Sequence, residues 1–136
     1  MNAVARGLAA GVAGTAALTL SQRAEMALTG RPSSDLPARV AERVLRTKFR
    51  GRTRERVAVV THWVNNTQVG LSRAALDSLG VSGAPAVAGT FAAYVGGSTL
   101  MFATLGLPQA PRRRAIDLAH AAVYAVAASA VYDRLD

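Results

Sequence analysis

The stretch that decides the fold is VAVVTHWVNNTQVGLSRAALDSLG, residues 57–80. It is apolar enough for a lipid bilayer, yet it carries six polar side chains: His62, Asn65, Asn66, Gln68, Arg73 and Asp77. It is either a membrane span with a polar seam or the amphipathic helix of a water-soluble domain. These alternatives imply different classes of protein, and the rest of the chain decides between them.

The following segment, VSGAPAVAGTFAAYVGGSTLMFATLGL at residues 81–107, carries the strongest membrane signal. No charged residue occurs between Asp77 and Arg112. About 20 apolar residues are enough for a helix to cross the hydrocarbon core. Pro85 falls in the first helical turn, where a missing amide proton costs least. The segment therefore predicts a transmembrane helix over about 82–107.

The two ends of the chain add two more apolar segments, over about 3–29 and 115–132. Gly30 ends the first of them, and the second is within the tolerated span length of about 17–25 residues. A cleaved signal peptide is the alternative for the first segment. It is disfavoured because it would send the most basic part of the chain outward, against the positive-inside rule.

Once the membrane is required, residues 57–79 are best interpreted as a fourth span. Five of the polar side chains share an arc of about 120° on a helical projection, and such residues face the interior of a bundle. Arg73 and Asp77 are four residues apart and form a candidate intramembrane ion pair. The predicted fold is all-α: a single membrane domain, residues 1–136, forming a four-helix transmembrane bundle.

The charge distribution predicts the orientation. The formal net charge is +8, and thirteen of the sixteen basic residues lie in or beside residues 30–56 and the Arg112–Arg114 turn. The positive-inside rule makes that side cytoplasmic. The sequence therefore predicts a multi-pass protein of the bacterial cytoplasmic (inner) membrane, with its basic loops in the cytoplasm.

The basic loop contains its own amphipathic pattern over about 35–48, which predicts an interfacial helix on the cytoplasmic leaflet. The apolar face would hold Val40, Ala41, Val44, Leu45 and Phe49, and the polar face Arg39, Glu42, Arg43 and Arg46. The basic 39–56 segment is expected to attract anionic lipid headgroups. Nucleic acid is the less favoured partner, since a single Phe offers little for base stacking.

Small residues mark the faces on which helices can approach closely. The candidate helix-packing residues are Gly7, Gly11, Gly14, Gly89, Gly96 and Gly97. These faces also offer surfaces for a homo-oligomer or for a larger membrane complex.

A candidate polar cluster lies near the cytoplasmic ends of the predicted spans. His62 and His120 each follow a loop arginine by six residues, which places both about 9 Å into their helices. The full candidate set is Glu25, His62, Asn65, Asn66, Asp117 and His120. It can be interpreted as metal or haem ligands, as a relay for protons or polar solutes, or as interhelical hydrogen bonding. The structural interpretation is favoured, and no cofactor is expected.

The sequence carries no enzyme signature. It has no cysteine, and no P-loop, nucleophile elbow, dinucleotide fingerprint or H-E-x-x-H motif occurs. The leading hypothesis is a non-enzymatic accessory or interaction protein. The alternatives are a proton-linked or polar-solute transporter or channel component, and a metal- or haem-binding membrane subunit. A continuous polar cavity lined by the second span would favour transport, whereas a dry core would favour the accessory role.

Several motifs resemble those of small actinobacterial membrane proteins that are distantly similar to the YagU-type inner-membrane family. They are an acidic residue shortly before a G-R-P-S-S turn, THWVNNT at the second span, and LGLPQAP before DLAHAAVYAVAASAVYDRLD. The resemblance covers most of the chain. It implies an integral inner-membrane protein of about four helices, and the family's link to acid tolerance would suit a proton relay.

Overall fold

A computed structural model of the chain describes all 136 residues, and it is entirely helical. The helices are α1 (Ala3–Thr29), α2 (Leu36–Leu45), α3 (Gly51–Ser78), α4 (Gly83–Thr104) and α5 (Arg114–Arg134), with a 3-10 turn at Pro111–Arg113.

Helix α1 has the same bounds as the helix predicted from the sequence, and the structure shows why. The Asn2 side chain accepts a hydrogen bond from the amide of Ala5 at 2.8 Å, which caps the first turn. Gly30 adopts a left-handed conformation with φ of 69°, and its amide donates to the Met26 carbonyl. Glycine adopts this conformation without steric cost, so it ends the helix cleanly.

The four long helices form an antiparallel bundle. Both α1 and α4 pack between α3 and α5, whereas α1 and α4 make no comparable contact with each other. The amino-terminal end of α1 therefore lies beside the carboxyl-terminal ends of α3 and α5. We call this the terminal end of the bundle, and the opposite end, with residues 30–56 and 112–114, the basic end.

The closest helix contact is between α1 and α3. Gly7 and Gly11 of α1 face Thr67 and Gly70 of α3, and a Cβ added at Gly11 would overlap the Thr67 backbone. This contact needs glycine because two backbones meet with no room for a side chain. Gly70 contributes to it as much as the α1 glycines do, although the sequence analysis did not single it out.

The other candidate packing glycines divide into two groups. Gly14 lies under the ring of Tyr124, and Gly89 lies against the side chain of Leu76. Gly96 and Gly97 have open space where a side chain would be. Neither of the last two packs against another helix of this chain, and Gly97 lines the cavity described below, so their assignment as contact surfaces for an oligomer or a larger complex stays a prediction.

Three helical segments are long and apolar enough to cross a membrane: Ala3–Thr29, Gly83–Thr104 and Pro111–Arg134. The prediction of four such segments is wrong for α3. Its polar residues make it too hydrophilic on average, although it packs among the other three along their length.

The predicted faces of α2 need a correction. Val40 and Ala41 are buried as expected, but Val44 and Leu45 are each 61% exposed and Glu42 is only 6% exposed. The Glu42 carboxylate accepts a hydrogen bond from Arg54 Nε at 3.0 Å. This ion pair turns Glu42 toward α3, because a buried carboxylate requires a partner. The apolar residues that remain exposed belong to the face expected to meet the bilayer.

The Glu42 pair makes the docking of α2 dependent on pH. Hydrogen bonding from Arg54 holds the pKa of the Glu42 carboxyl below its usual value, and the Phe49 amide acts in the same direction. A lowered pKa means that the stabilisation is complete above the ordinary glutamate range near pH 4.3, and it is lost as pH falls through the lowered value.

We expect a spin label on a Leu36→Cys variant, at a half-buried position of α2, to stay immobilised from pH 7 to about pH 4 and to become mobile below it. Glu42→Gln should give the mobile spectrum at every pH, as followed by electron paramagnetic resonance. Glu55→Gln is the matched control, since Glu55 forms no ion pair within 4.0 Å. A mobile label in the parent at pH 7 would contradict the docking.

Candidate functional site

A cavity of about 1040 Å³ lies at the basic end, between the four long helices and the beginning of α2. Its size is at the upper limit of typical small-molecule sites. The α3 wall is polar and carries His62, Asn65, Asn66 and Gln68. The α4 wall is largely apolar and includes Tyr94, Val95, Met101 and Phe102.

The cavity exists because α4 diverges from its neighbours toward the basic end. The buried residues of α4, Ala86 and Thr90, both lie in its first half. Small side chains allow close packing there, as they do for Gly89 against Leu76. Further along α4, Tyr94 packs against Tyr124 with ring centroids 4.9 Å apart, and beyond it Val95, Met101 and Phe102 line the cavity.

His62 occupies the α3 wall of the cavity and is fully hydrogen-bonded. Its Nε2 lies 3.0 Å from Thr19 Oγ1, and its Nδ1 lies 3.2 Å from Asn66 Nδ2. The single hydroxyl proton of Thr19 is donated to the Thr15 carbonyl at 2.7 Å. Thr19 must therefore accept from His62, which places the imidazole proton on Nε2.

The Asn66 contacts lead to the same tautomer. Its amide nitrogen donates to the His62 carbonyl at 2.7 Å and is left with one proton for His62 Nδ1. Nδ1 is then an acceptor without a proton, so His62 is neutral in this arrangement. Protonation would break the Asn66 bond. The geometry thus gives His62 a positioning role in the cavity wall rather than a free site for a proton.

His120 lies at the same depth but is bonded differently. Its Nδ1 is 2.7 Å from Ser21 Oγ, two residues along α1 from the Thr19 that contacts His62. That spacing corresponds to about 3 Å along the helix axis, in agreement with the similar depths expected from the sequence. His120 is 5% exposed and lines the cavity, and its Nε2 has no hydrogen-bond partner in the protein.

The carboxylates of the candidate cluster are placed around His120, not around both histidines. Glu25, Asp117 and Arg31 lie close enough for their charges to act on the His120 ring. Glu25 is already bound by Arg31, whose Nε contacts both of its carboxylate oxygens at 3.0–3.1 Å. No group of three or more His, Asp or Glu side chains has the arrangement of a metal site. The four residues considered as metal ligands are therefore not assembled around one point.

The remaining cluster residue, Asn65, lines the cavity beside Met101, with its amide nitrogen 3.8 Å from the thioether sulfur. Its neighbour along α3, Val64, is 58% exposed on the outside of the bundle and does not line the cavity.

The terminal end of the bundle is closed by a cluster that the sequence predicted only in part. The Tyr132 ring is fully buried between the guanidinium groups of Arg6 and Arg73, which lie 4.1 and 4.5 Å from its centroid. Its hydroxyl donates to Asp77 at 3.1 Å. We call Arg6, Arg73, Asp77, Tyr132 and Asp133 the terminal cluster.

The candidate ion pair within this cluster is a secondary contact. Arg73 and Asp77 approach to 4.0 Å, but the closest carboxylate to Arg73 is Asp133 of α5, at 2.5 Å. An i,i+4 spacing allows a pair on one helix, but a neighbouring helix offers the better geometry here. Arg73 is 2% exposed and thus lies inside the bundle, as expected for an intramembrane arginine.

Several residues that build both regions were not predicted from the sequence. At the cavity these are Thr19, Ser21 and Arg31, and at the terminal cluster they are Arg6, Tyr132 and Asp133. Serine and threonine gave no signal because they occur throughout apolar helices. Arg6 did offer one: a charged residue one turn into an apolar helix needs a partner at the same depth.

Comparisons with protein-family models, with curated proteins and with solved structures gave no match. The resemblance to the YagU-type family therefore stays a prediction, and the functional argument rests on the geometry of the chain.

Proposed function

We propose that α3 crosses the bilayer together with the three apolar helices, which makes the bundle a four-span membrane protein. At 1.5 Å per residue its 28 residues extend about 42 Å, enough to cross the hydrocarbon core. Its polar side chains lie in the cavity wall and in the terminal cluster, so lipid need not solvate them. The thirteen basic residues at the basic end favour a cytoplasmic location for that end in a bacterial inner membrane.

We propose further that the protein binds a solute in the cavity, as a component of transport across or within the membrane. One observation carries this function: the cavity of about 1040 Å³ has a polar wall supplied by α3 and lies beside the basic loops. The terminal cluster, in which Arg73 and Tyr132 are buried, closes the opposite end of the bundle. A binding site that is open on one side and sealed on the other is the geometry that alternating access requires.

Thiol labelling tests this arrangement directly, since the chain has no cysteine of its own. We expect an Asn65→Cys variant in inside-out vesicles to react with a membrane-impermeant maleimide, because its thiol would lie in a water-filled cavity. Val64→Cys is the matched control at the same depth, and it should stay unlabelled because the thiolate does not form in lipid. Labelling in intact cells should be absent for both.

Two results would contradict the proposal. Equal labelling of Val64→Cys and Asn65→Cys would place α3 outside the bilayer, and an unreactive Asn65→Cys would mean that the cavity is dry. Reaction of Asn65→Cys from outside intact cells would reverse the orientation.

An accessory role remains the second candidate, and one observation favours it. Gly96 of α4 has open space where a side chain would be and does not line the cavity, and small residues exposed in this way receive neighbouring helices in membranes. Gly96 offers a contact for a second copy of the chain or for a larger complex. The basic 39–56 segment would lie against anionic headgroups in either role.

A further inference from the structure

The ligand class of the cavity can be argued from one atom in its wall. His120 is 5% exposed, its Nδ1 is held by Ser21, and its Nε2 has no partner in the protein. Buried polar groups in folded proteins are almost always paired, and an unpaired one costs about 1–3 kcal/mol. The ring belongs to the cavity wall, but Nε2 itself is covered by neighbouring atoms, so a ligand becomes its partner by displacing the side chains that lie over it.

The charges around that nitrogen favour an anion. Glu25 faces His120 from α1, but its charge is bound by Arg31. Asp117 faces His120 from the same helix, one turn away, and the charges of Arg113 and Arg31 act on it. Glu25 is therefore neutralised by an ion pair, whereas Asp117 forms none within 4.0 Å and is offset only by the longer-range charges of the two arginines.

The distribution of charged residues around the cavity also favours an anion. The basic end carries thirteen basic and five acidic residues, whereas the rest of the chain carries three of each, so the whole net charge of +8 lies at the basic end. The cavity lining itself carries six arginines and three carboxylates (Asp35, Glu55 and Asp117). Four of these arginines form no ion pair within 4.0 Å: Arg23, Arg39, Arg113 and Arg114. A cleft with an excess of one sign of charge concentrates ligands of the opposite sign.

The α4 wall of the cavity indicates the chemistry of the remaining part of the ligand. Met101, Phe102, Val95 and the Tyr94 ring line most of it, and Ser98 and Thr99 add two hydroxyl groups between these apolar side chains. An apolar body gains free energy by covering such a surface.

We propose that the cavity binds an organic anion, with its carboxylate or phosphate accepting a hydrogen bond from His120 Nε2 and its apolar body against α4. The proposal rests on the proposed function and names its substrate class. A free amphiphilic acid and an anionic lipid share this chemistry. In both cases the hydrogen bond requires the tautomer with its proton on Nε2, in which the Ser21 hydroxyl donates to Nδ1.

The experiment uses the single tryptophan, Trp63, which lines the cavity. The full chain is placed in nanodiscs of zwitterionic lipid and titrated with octanoate, octylphosphate and octylammonium while Trp63 emission is followed. We expect saturable binding of the two anions at least tenfold tighter than that of the cation. Nanodiscs that contain phosphatidylglycerol distinguish a lipid ligand from a free acid. Weaker octanoate binding in them means that the anionic lipid competes for the cavity and is the ligand. Unchanged octanoate binding identifies a free acid.

Substitutions in the cavity wall test which side chains bind the anionic group of the ligand. His120→Leu should weaken octanoate binding about tenfold or more, since hydrogen bonds to charged groups are the stronger class. His120→Gln should restore most of it, because the glutamine amide places an N–H at a similar reach. Arg113→Gln should weaken binding several-fold, while Arg112→Gln is the matched control, since Arg112 is exposed and outside the lining.

Equal affinity for octanoate and octylammonium, or an unchanged affinity in both His120→Leu and Arg113→Gln, would overturn this assignment. The Arg113 variant keeps the test decisive if His120→Leu fails to fold. If the Asn65→Cys thiol reacts but the cavity shows no preference for anions, only the ligand class is refuted. If that thiol does not react, the proposed function is refuted as well.

Discussion

Replacing Gly11 with leucine is expected to prevent the bundle from forming, with a loss of more than about 3 kcal/mol in the free energy of unfolding. The reason is the contact with α3, where an added Cβ would overlap the Thr67 backbone. Overpacking between side chains typically costs about 1–3 kcal/mol because rotamers can change. A backbone cannot move aside in that way, so α1 and α3 must separate along their whole contact.

The measurement is a titration of the detergent-solubilised protein with sodium dodecyl sulfate, followed by Trp63 fluorescence. Gly96→Leu is the matched control, since Gly96 has open space around it. It should unfold like the parent as a monomer, and a change in oligomeric state in that variant alone would favour the accessory role. A Gly11→Leu protein as stable as the parent would disprove the close contact of α1 and α3.

The second large effect is expected at the terminal cluster. Tyr132→Ala should cost about 3–5 kcal/mol in stability, the usual range for truncating a fully buried aromatic side chain. The loss includes the stacking of Arg6 and Arg73 on the ring, because cation–π contacts contribute about 2 kcal/mol or more when water is excluded.

Tyr132→Phe separates the ring from the hydroxyl. It keeps both arginine contacts and loses only the hydrogen bond to Asp77, so it should cost about 1 kcal/mol. The same titration measures both variants. Equal losses would mean that the hydroxyl, not the ring, holds the cluster together, and the account of the sealed end would then be wrong.

The sequence predicted the secondary structure well because apolar periodicity is a local property. Residues 3–29 were predicted as a helix with the bounds that Asn2 and Gly30 impose. The α4 and α5 segments were recognised from length and apolarity, and both meet the criteria for a membrane span. For α3 the same criteria fail, because its polar side chains are paired through tertiary contacts that no local measure of hydropathy includes.

The candidate site shows the same division. Sequence spacing placed His62 and His120 at one depth, and the structure has them bonded to Thr19 and Ser21, two residues apart on α1. The spacing gave no information about which hydroxyl each imidazole meets. It also could not show that Glu25 is held by Arg31, since that pair depends on the turn at Gly30.

The sequence by itself determined the number of helices, the bounds of α1, the concentration of the whole net charge at one end, and the glycines on which α1 approaches its neighbours. Each of these follows from composition and periodicity along one helix, whereas α3 begins at Gly51, six residues before its predicted start. Only the tertiary structure decided that α4 diverges to leave a cavity, that His62 is satisfied while His120 Nε2 is not, and that Arg73 pairs with Asp133. These depend on the distances between helices, which are set by packing all four together.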